Sequence, residues 1–500
     1  MDLVGNLAVG FGEALSLTNL AFCLAGVLVG TLIGVLPGIG PVATVAMLLP
    51  ITFTMAPVTA LIMLAGIYYG AQYGGSTTAI LVNLPGEASS VVTCLDGYQM
   101  ARRGRAGAAL AIAALGSFFA GTVATLLIVT VAEPLTRLAI DFGPADNFSL
   151  MVFGLIGAIV LASGSVVKAL AMILVGLLLG MVGIDVNSGA QRYTFHMPEL
   201  SDGIGFVAIA LGLFGVGDII HNLQRGTDRT LVTTRLGSLW PTRDELMRSA
   251  APIVRGTVVG SILGVLPGGG AVLSAFAAYA VEKKLARDPS RFGQGAIEGV
   301  AAPEAANNAG AQSSFIPMLT LGIPSNALMA LMVGALIMHG IQPGPQVLAS
   351  QPTLFWGLIA SMWIGNLMLL IINLPLIGIW VALLRVPYRL LCTAILVFSA
   401  IGIYSVSNSV FDVYLTALFG FFGYFFIKVG AEPAPLLLGF VLGPLMEENL
   451  RRAMLISGGD PSVFVERPIS LGLLLASVVL LALVLLPRLR RVREDAFREA

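Results

Sequence analysis

The chain has 500 residues, of which 57% are hydrophobic and 11% charged, and its mean hydropathy is +0.92. A soluble core cannot hide that much apolar surface, so the chain belongs in a bilayer. Lys and Arg number 27 against 27 Asp and Glu, a balance that removes the overall positive character with which a protein attracts nucleic acid.

The N-terminal apolar stretch lacks the basic residues that open a cleaved signal peptide, and is read as part of a first membrane hairpin. That hairpin, residues 20–54, is interrupted by Pro37, Gly38 and Gly40. Arms of roughly 15 residues are left, short for a full crossing, which predicts a re-entrant element that enters and leaves on one side. Residues 57–100 carry Gly, Ser, Thr, Asn and Pro at a depth where a spanning helix should be apolar. A discontinuous helix with an unwound middle is expected, buried in protein or lining a cavity. Arg102, Arg103 and Arg105 are the first basic residues of the chain, so 101–105 face the cytoplasm and 1–19 face out. Apolar spans follow near 106–132, 147–163, 165–185 and 203–223.

After a linker at 224–249, expected in the cytoplasm, the chain repeats itself. GTLIGVLPGIG at 30–40 returns as GSILGVLPGGG at 260–270, with Pro267, Gly268 and Gly270 in the places of Pro37, Gly38 and Gly40. Gly70-Ala71-Gln72, leading to Asn83-Leu84-Pro85-Gly86, returns as Gly310-Ala311-Gln312, leading to Gly322-Ile323-Pro324-Ser325. Two motifs in the same order mark a duplication, with one copy over 1–223 and the other over 250–430. The second hairpin, 250–281, has the basic residues beside it: Arg225, Arg229, Arg235, Arg243 and Arg248 before, Lys283, Lys284, Arg287 and Arg291 after. No other basic residue appears until Arg385, so the connector at 340–352 faces out. Because the basic loops exchange places, the two copies are expected to be inverted. The expected fold is an all-α polytopic membrane protein: an inverted-topology structural repeat with re-entrant hairpins and discontinuous helices. Further spans fall near 353–384, 387–405, 408–427 and 468–487. In the C-terminal segment, 431–500, residues 434–448 either cross or lie along the surface, and the tail with Arg488, Arg490, Arg491 and Arg493 is cytoplasmic.

Broken helices in an inverted repeat offer free N–H groups to anions and carbonyls to cations near the midplane. The substrate-binding candidates are Gln72, Ser76, Thr77, Thr78, Asn83 and Gly86 in the first copy. In the second they are Asn307, Asn308, Gln312, Ser313, Ser314, Thr320, Ser325 and Asn326. Small and hydroxyl residues also serve simply to pack membrane helices, but matched clusters in both copies favour a site. Glu87, Glu298 and Glu304 either meet a coupling cation or sit at segment ends in water, and Glu87 and Glu304 are the candidate cation ligands. Neither of the second motifs contains Arg or Lys, so a bound anion must rely on helix N-termini, hydroxyls, amides and a co-bound cation, Na⁺ or H⁺. Gly38-x-Gly40-x-x-Ala43 fits a dinucleotide fingerprint only loosely and has no strand before it. His196, His221 and His339, and Cys23, Cys94 and Cys392, lack metal-ligand or disulfide spacing. No cofactor is expected.

These residues resemble the TctA family, the large membrane subunit of tripartite tricarboxylate transporters. The likeness rests on GVLPGIGP at 34–41, YYGAQYGGSTTAILVNLPGE at 68–87, DGYQMARRGRAG at 96–107, GVLPGGGA at 264–271, APEAANNAGAQSSFIPMLTLGIPSN at 302–326, and GPLMEENLRRAM with GDPSVF at 443–464. It implies a bacterial inner-membrane carrier, not an enzyme. Its implied partners are a small TctB-like membrane subunit and a periplasmic TctC-like solute-binding protein, and its implied activity is carboxylate import by cation symport, with Na⁺ the first choice. A membrane enzyme acting on a lipid-linked substrate would need a polar catalytic constellation at the interface, and none is apparent. A scaffold gives no reason for duplicated broken helices.

Overall fold

The computed structural model describes residues 3–36, 40–161, 165–185, 188–225, 239–267, 270–383 and 388–485. In the first half, α1 (Leu3–Ala14) precedes a hairpin of α2 (Leu17–Val35) and α3 (Pro41–Thr52). Then come α4 (Pro57–Val82), α5 (Val91–Arg102), α6 (Ala106–Ile140), α7 (Pro144–Leu161) and α8 (Val166–Gly180). A two-stranded antiparallel ribbon, β1 (Gly183–Ile184) with β2 (Gln191–Arg192), leads to α9 (Phe206–Ala210), a π-helical stretch (Leu211–Val216) and α10 (Gly217–Arg225). The second half opens with α11 (Arg243–Val265), α12 (Gly270–Leu285), α13 (Glu298–Ser313), α14 (Phe315–Leu321) and α15 (Ala327–Met338). It continues through α16 (Gln346–Ser350), α17 (Pro352–Asn373), α18 (Ile377–Leu383), α19 (Tyr388–Ser407) and α20 (Val410–Lys428). The last helices are α21 (Pro433–Ile456), α22 (Val463–Glu466) and α23 (Pro468–Leu485). By length and composition α2, α6, the run from α9 to α10, α17 and α20 can each cross a membrane, so the chain is a multi-pass, helical membrane protein.

The breaks in the two recurring motifs share a local geometry. α4 ends on Asn83 and α14 on Gly322, both left-handed, with φ of 57° and 73°. Each break is followed by a helix of 12 residues, α5 or α15. Each of these ends at a left-handed glycine, Gly104 or Gly340. The N–H of Arg105 then donates to Met100 O and that of Ile341 to Leu336 O, both at 2.9 Å, the same six-to-one closure of a helix end.

One expectation needs correction. The hairpin arms are unequal, 19 and 12 residues in the first and 23 and 16 in the second. Caps rather than hydropathy set these limits: Ser16 accepts from the Asn19 N–H, Thr242 and Glu245 form a capping box, and Pro41 opens α3 after Gly40. Of the hairpin-tip residues, Pro37, Gly38 and Gly268 lie outside the described residues. The discontinuous helix expected over 57–100 is present, with α4 unbroken through Gln72, Ser76, Thr77 and Thr78. Its unwound stretch comes later, from Asn83. Gly and Thr lower helix propensity by about 1 kcal/mol or less each, too little to open a helix whose backbone would find no water here.

Close packing explains the glycines that the helices keep. A Cβ at Gly26, Gly30 or Gly34 of α2 would stand 2.3, 2.4 and 2.4 Å from the carbonyl oxygens of Met63, Ile67 and Ala71 on α4. At Gly256, Gly260 and Gly264 of α11 it would stand 2.3, 2.3 and 2.4 Å from those of Ala302, Ala306 and Gly310 on α13. Lipid supplies no hydrophobic force between helices, so a small residue every fourth position lets the backbones touch.

The long helices are exchanged: α6 of the first half packs on α13 of the second, and α17 of the second packs on α4 of the first. α6 also serves as a ruler. Arg105, just before it, pairs with Glu245 of α11, and Gly116 meets Ile253. α17 runs the other way, with Asn366 at Gly121 and the Trp363 ring N–H donating to Thr122 O. Trp356, at the start of α17, lies against Gly10 of α1. The bases of the two hairpins therefore sit toward opposite ends of α6. α21 is one helix packed along α8, with Gly176 against Leu436 O and Gly439 against Ile173 O, so residues 434–448 are not a separate surface element.

Candidate functional site

α13 is buried along its length after its first residue, and its polar residues recur at helical spacing, so Glu304, Asn308 and Gln312 share one face. The fully buried Glu304 carboxylate accepts from the Ser76 hydroxyl of α4 and, through its other oxygen, from the Thr93 hydroxyl of α5. Asn308 Nδ2 donates to Ser117 Oγ of α6 at 2.7 Å and to Glu304 O at 3.1 Å. Gln312 Oε1 accepts from the Thr125 hydroxyl of α6. Beside this line, Asn307 Nδ2 reaches Glu87 Oε1 at 3.5 Å, and the Ser89 hydroxyl lies between Glu87 and Gln72 Oε1, 2.8 Å from the latter. The result is a polar seam drawn from both halves. Among the described residues neither Glu87 nor Glu304 has a Lys or Arg partner; hydroxyls and an amide face them instead.

The other sequence candidates divide. Thr78 and Ser313 hold equivalent ties to the hairpins, Thr78 donating to Val35 O at 2.8 Å and Ser313 to Gly260 O at 3.4 Å. Ser314 and Thr320 bond back into their own helices, to Gly310 O and Ile316 O, each at 2.6 Å. Asn326 caps α15 by accepting the Met329 N–H at 2.9 Å, its Nδ2 reaches Ser314 Oγ, and Ser325 donates to Ser314 O. Gly270, which opens α12 with φ 50°, approaches the Asn326 amide, and Pro267 rests on Gly157 of α7. Gly86 is pressed onto the hairpin, where a Cβ would stand 1.8 Å from Gly34 O. Asn83 is exposed at its helix cap, outside the seam. Glu298 pairs with Arg248 at 2.8 Å in the first turn of α13, so of its two expected placements the segment end holds. Thr93, Ser117 and Thr125 were not anticipated. Their only local signal is a hydroxyl inside an apolar run, and on α6 two such hydroxyls eight residues apart.

A cavity of ≈ 10 Å³ opens on the seam between α4, α6 and α17, with Tyr73, Ser76, Thr77, Ser117 and Asn373 among its walls. It holds about one water-sized particle. A larger cavity, ≈ 190 Å³, lies beside the second break and is lined by Gly322, Pro343, Gln346, Asn147, Asn449 and Arg452, among others. Among the described residues no three His, Cys, Asp or Glu gather as metal ligands.

Residues 20–438 match the model of the family described as "Tripartite tricarboxylate transporter TctA family". Two relatives come from Agrobacterium vitis. One, an "Uncharacterized 52.8 kDa protein in TAR-I ttuC' 3'region", is 61% identical over 499 residues, 100% of this chain and 99% of the relative. The other, an "Uncharacterized protein in TAR-II ttuC' 3'region", is 62% identical over 240 residues, 48% of this chain and 99% of the relative. No solved structure matches the chain.

Proposed function

Because the chain belongs to the TctA family of tripartite tricarboxylate transporters, we propose that it is the large transmembrane subunit of a carrier importing di- or tricarboxylates together with a cation. The observation that carries this reading is the seam, where amides, hydroxyls, the half-buried Glu87 and the buried Glu304 meet from both halves with no Lys or Arg partner among the described residues. Two or three carboxylates brought there would leave an uncompensated charge of several kcal/mol or more. Helix N-termini offset only about 0.3–2 kcal/mol each. A co-transported cation supplies the remainder, Na⁺ in the first instance and H⁺ as the second choice.

The two halves are inverted in the bacterial inner membrane, with the N-terminus periplasmic and the C-terminus cytoplasmic. The hairpin bases at opposite ends of α6 and the exchanged basic loops support this. On that footing the ≈ 190 Å³ cavity with Arg452 faces the periplasm, where a TctC-like binding protein would deliver its carboxylate, and a TctB-like subunit completes the membrane part.

The test is uptake. Purified protein in liposomes, with its small subunit and binding protein, accumulates labelled citrate or another carboxylate only under an inward Na⁺ gradient. Uptake indifferent to Na⁺ that rises as the external pH falls leaves the H⁺ version, and no uptake of any di- or tricarboxylate rejects the carrier.

A further inference from the structure

We infer that the cavity between α4, α6 and α17 is a binding site for one monovalent cation, Na⁺ by preference. This deepens the carrier reading by placing the cation at residues that the substrate argument leaves largely unused.

The walls combine the apolar side chains of Leu110, Ala113 and Ala114 with five polar residues. Tyr73, Ser76, Thr77 and Ser117 contribute hydroxyls and Asn373 an amide. Tyr73 is 3% and Asn373 5% exposed, and both the Tyr73 hydroxyl and Asn373 Oδ1 lack a hydrogen-bond partner. The orientation of the Asn373 amide is fixed, because its Nδ2 donates to Leu369 O at 3.0 Å, which leaves Oδ1 as the open atom. Of the remaining groups, Ser76 and Ser117 already have hydrogen-bond partners. Ser76 gives its proton to Glu304, and Ser117 accepts from Asn308 while facing the Glu304 carbonyl.

A trapped water would accept from the Tyr73 hydroxyl and give a hydrogen to Asn373 Oδ1, and it is the rival occupant. A cation engages oxygen lone pairs together. The charge nearest the cavity is the Glu304 carboxylate, one hydrogen bond behind Ser76, which polarises that hydroxyl and makes its oxygen a better ligand. A divalent ion would call for carboxylates in direct contact. One indirect carboxylate, neutral oxygens and a cavity of ≈ 10 Å³ suit a small monovalent ion.

The experiment uses the purified full-length chain in detergent without any carboxylate. Thermal unfolding and equilibrium binding of radioactive sodium are measured in NaCl, KCl and choline chloride at equal ionic strength. Expected is a saturable rise in Tm with Na⁺, absent in K⁺ and choline. Asn373→Ala and Tyr73→Phe should each raise the half-saturating Na⁺ concentration about tenfold or more, with melting in choline little changed. Equal melting in the three salts would mean a trapped water only, and unchanged half-saturation in both variants would place the ion elsewhere; either overturns the inference. If Asn373→Ala does not fold, Tyr73→Phe decides, since it removes one oxygen and keeps the ring. The carrier reading stands apart: it is judged by uptake, and Na⁺ binding without any uptake would keep this site and reject the carrier.

Discussion

The hydroxyl of Ser76 in the first half donates to the carboxylate of Glu304 in the second, joining the halves through a buried acid that has no basic partner among the described residues. Glu304→Gln keeps the shape and removes the charge. Initial carboxylate uptake should fall by about a hundredfold, and Ser76→Ala, which deletes one hydrogen bond to a charged group, should lower it by about tenfold. Both variants should insert and purify as the parent does. Near-parental uptake by both would move the site away from the seam.

Steric packing of the paired helices gives a second prediction. Gly30 and Gly260 leave no space for a methyl group, so Gly30→Ala and Gly260→Ala should each destabilise the protein by about 1–3 kcal/mol, read as lowered Tm in detergent. Gly12, with nothing within 4 Å of an added Cβ, is the control: Gly12→Ala should melt with the parent. Equal melting of all three would contradict the interhelical contacts.

Membrane orientation can be checked with single cysteines in a variant lacking Cys23, Cys94 and Cys392. Gln346→Cys, in the connector after the second break, should react with an impermeant maleimide added to the periplasmic side. Ser290→Cys, beyond the base of the second hairpin, should react only after the membrane is opened. Labelling of both from one side would refute the inversion.

His339, in the turn that leads into the 340–352 connector, supplies a pH dependence. Burial holds its imidazole below the usual histidine range, with a backbone hydrogen bond to Thr52 acting in the opposite direction. Between the unfolded value near about 6.5 and the lower folded one, the unfolded chain binds more protons, so stability falls as pH falls through that window and is complete above it. His339→Gln should flatten the Tm profile there, and an unaltered profile would show that His339 does not govern it.

Much of the chain was legible without coordinates. The duplicated motifs, the helical spans and the breaks at Asn83 and Gly322 follow from Pro, Gly and hydropathy, which act locally. The seam was half legible: Glu304, Asn308 and Gln312 stand out as polar residues in a membrane segment, but their partners Thr93, Ser117 and Thr125 are fixed by which helices meet, a long-range matter. Asn83 stands outside the seam as an exposed left-handed cap, a place that the same signal, a polar residue at a helix end, marks as readily as a ligand. The role of the α4 glycines Gly66, Gly70 and Gly74 as contact points for α2 is likewise a long-range matter.

The exchange of long helices also bears on how the protein is made. When α4 enters the bilayer during synthesis, the helix that will cover it, α17, has not been translated, and α6 waits in the same way for α13. Each half is thus completed by its counterpart, and the nascent first half needs temporary shelter for Ser76, Thr93 and Ser117 until Glu304 and Asn308 arrive. Two half-chains divided at 226–238 should consequently accumulate in the membrane when produced together and be degraded when produced alone, as pulse-chase labelling would reveal. Stable accumulation of either alone would mean that the halves mature independently.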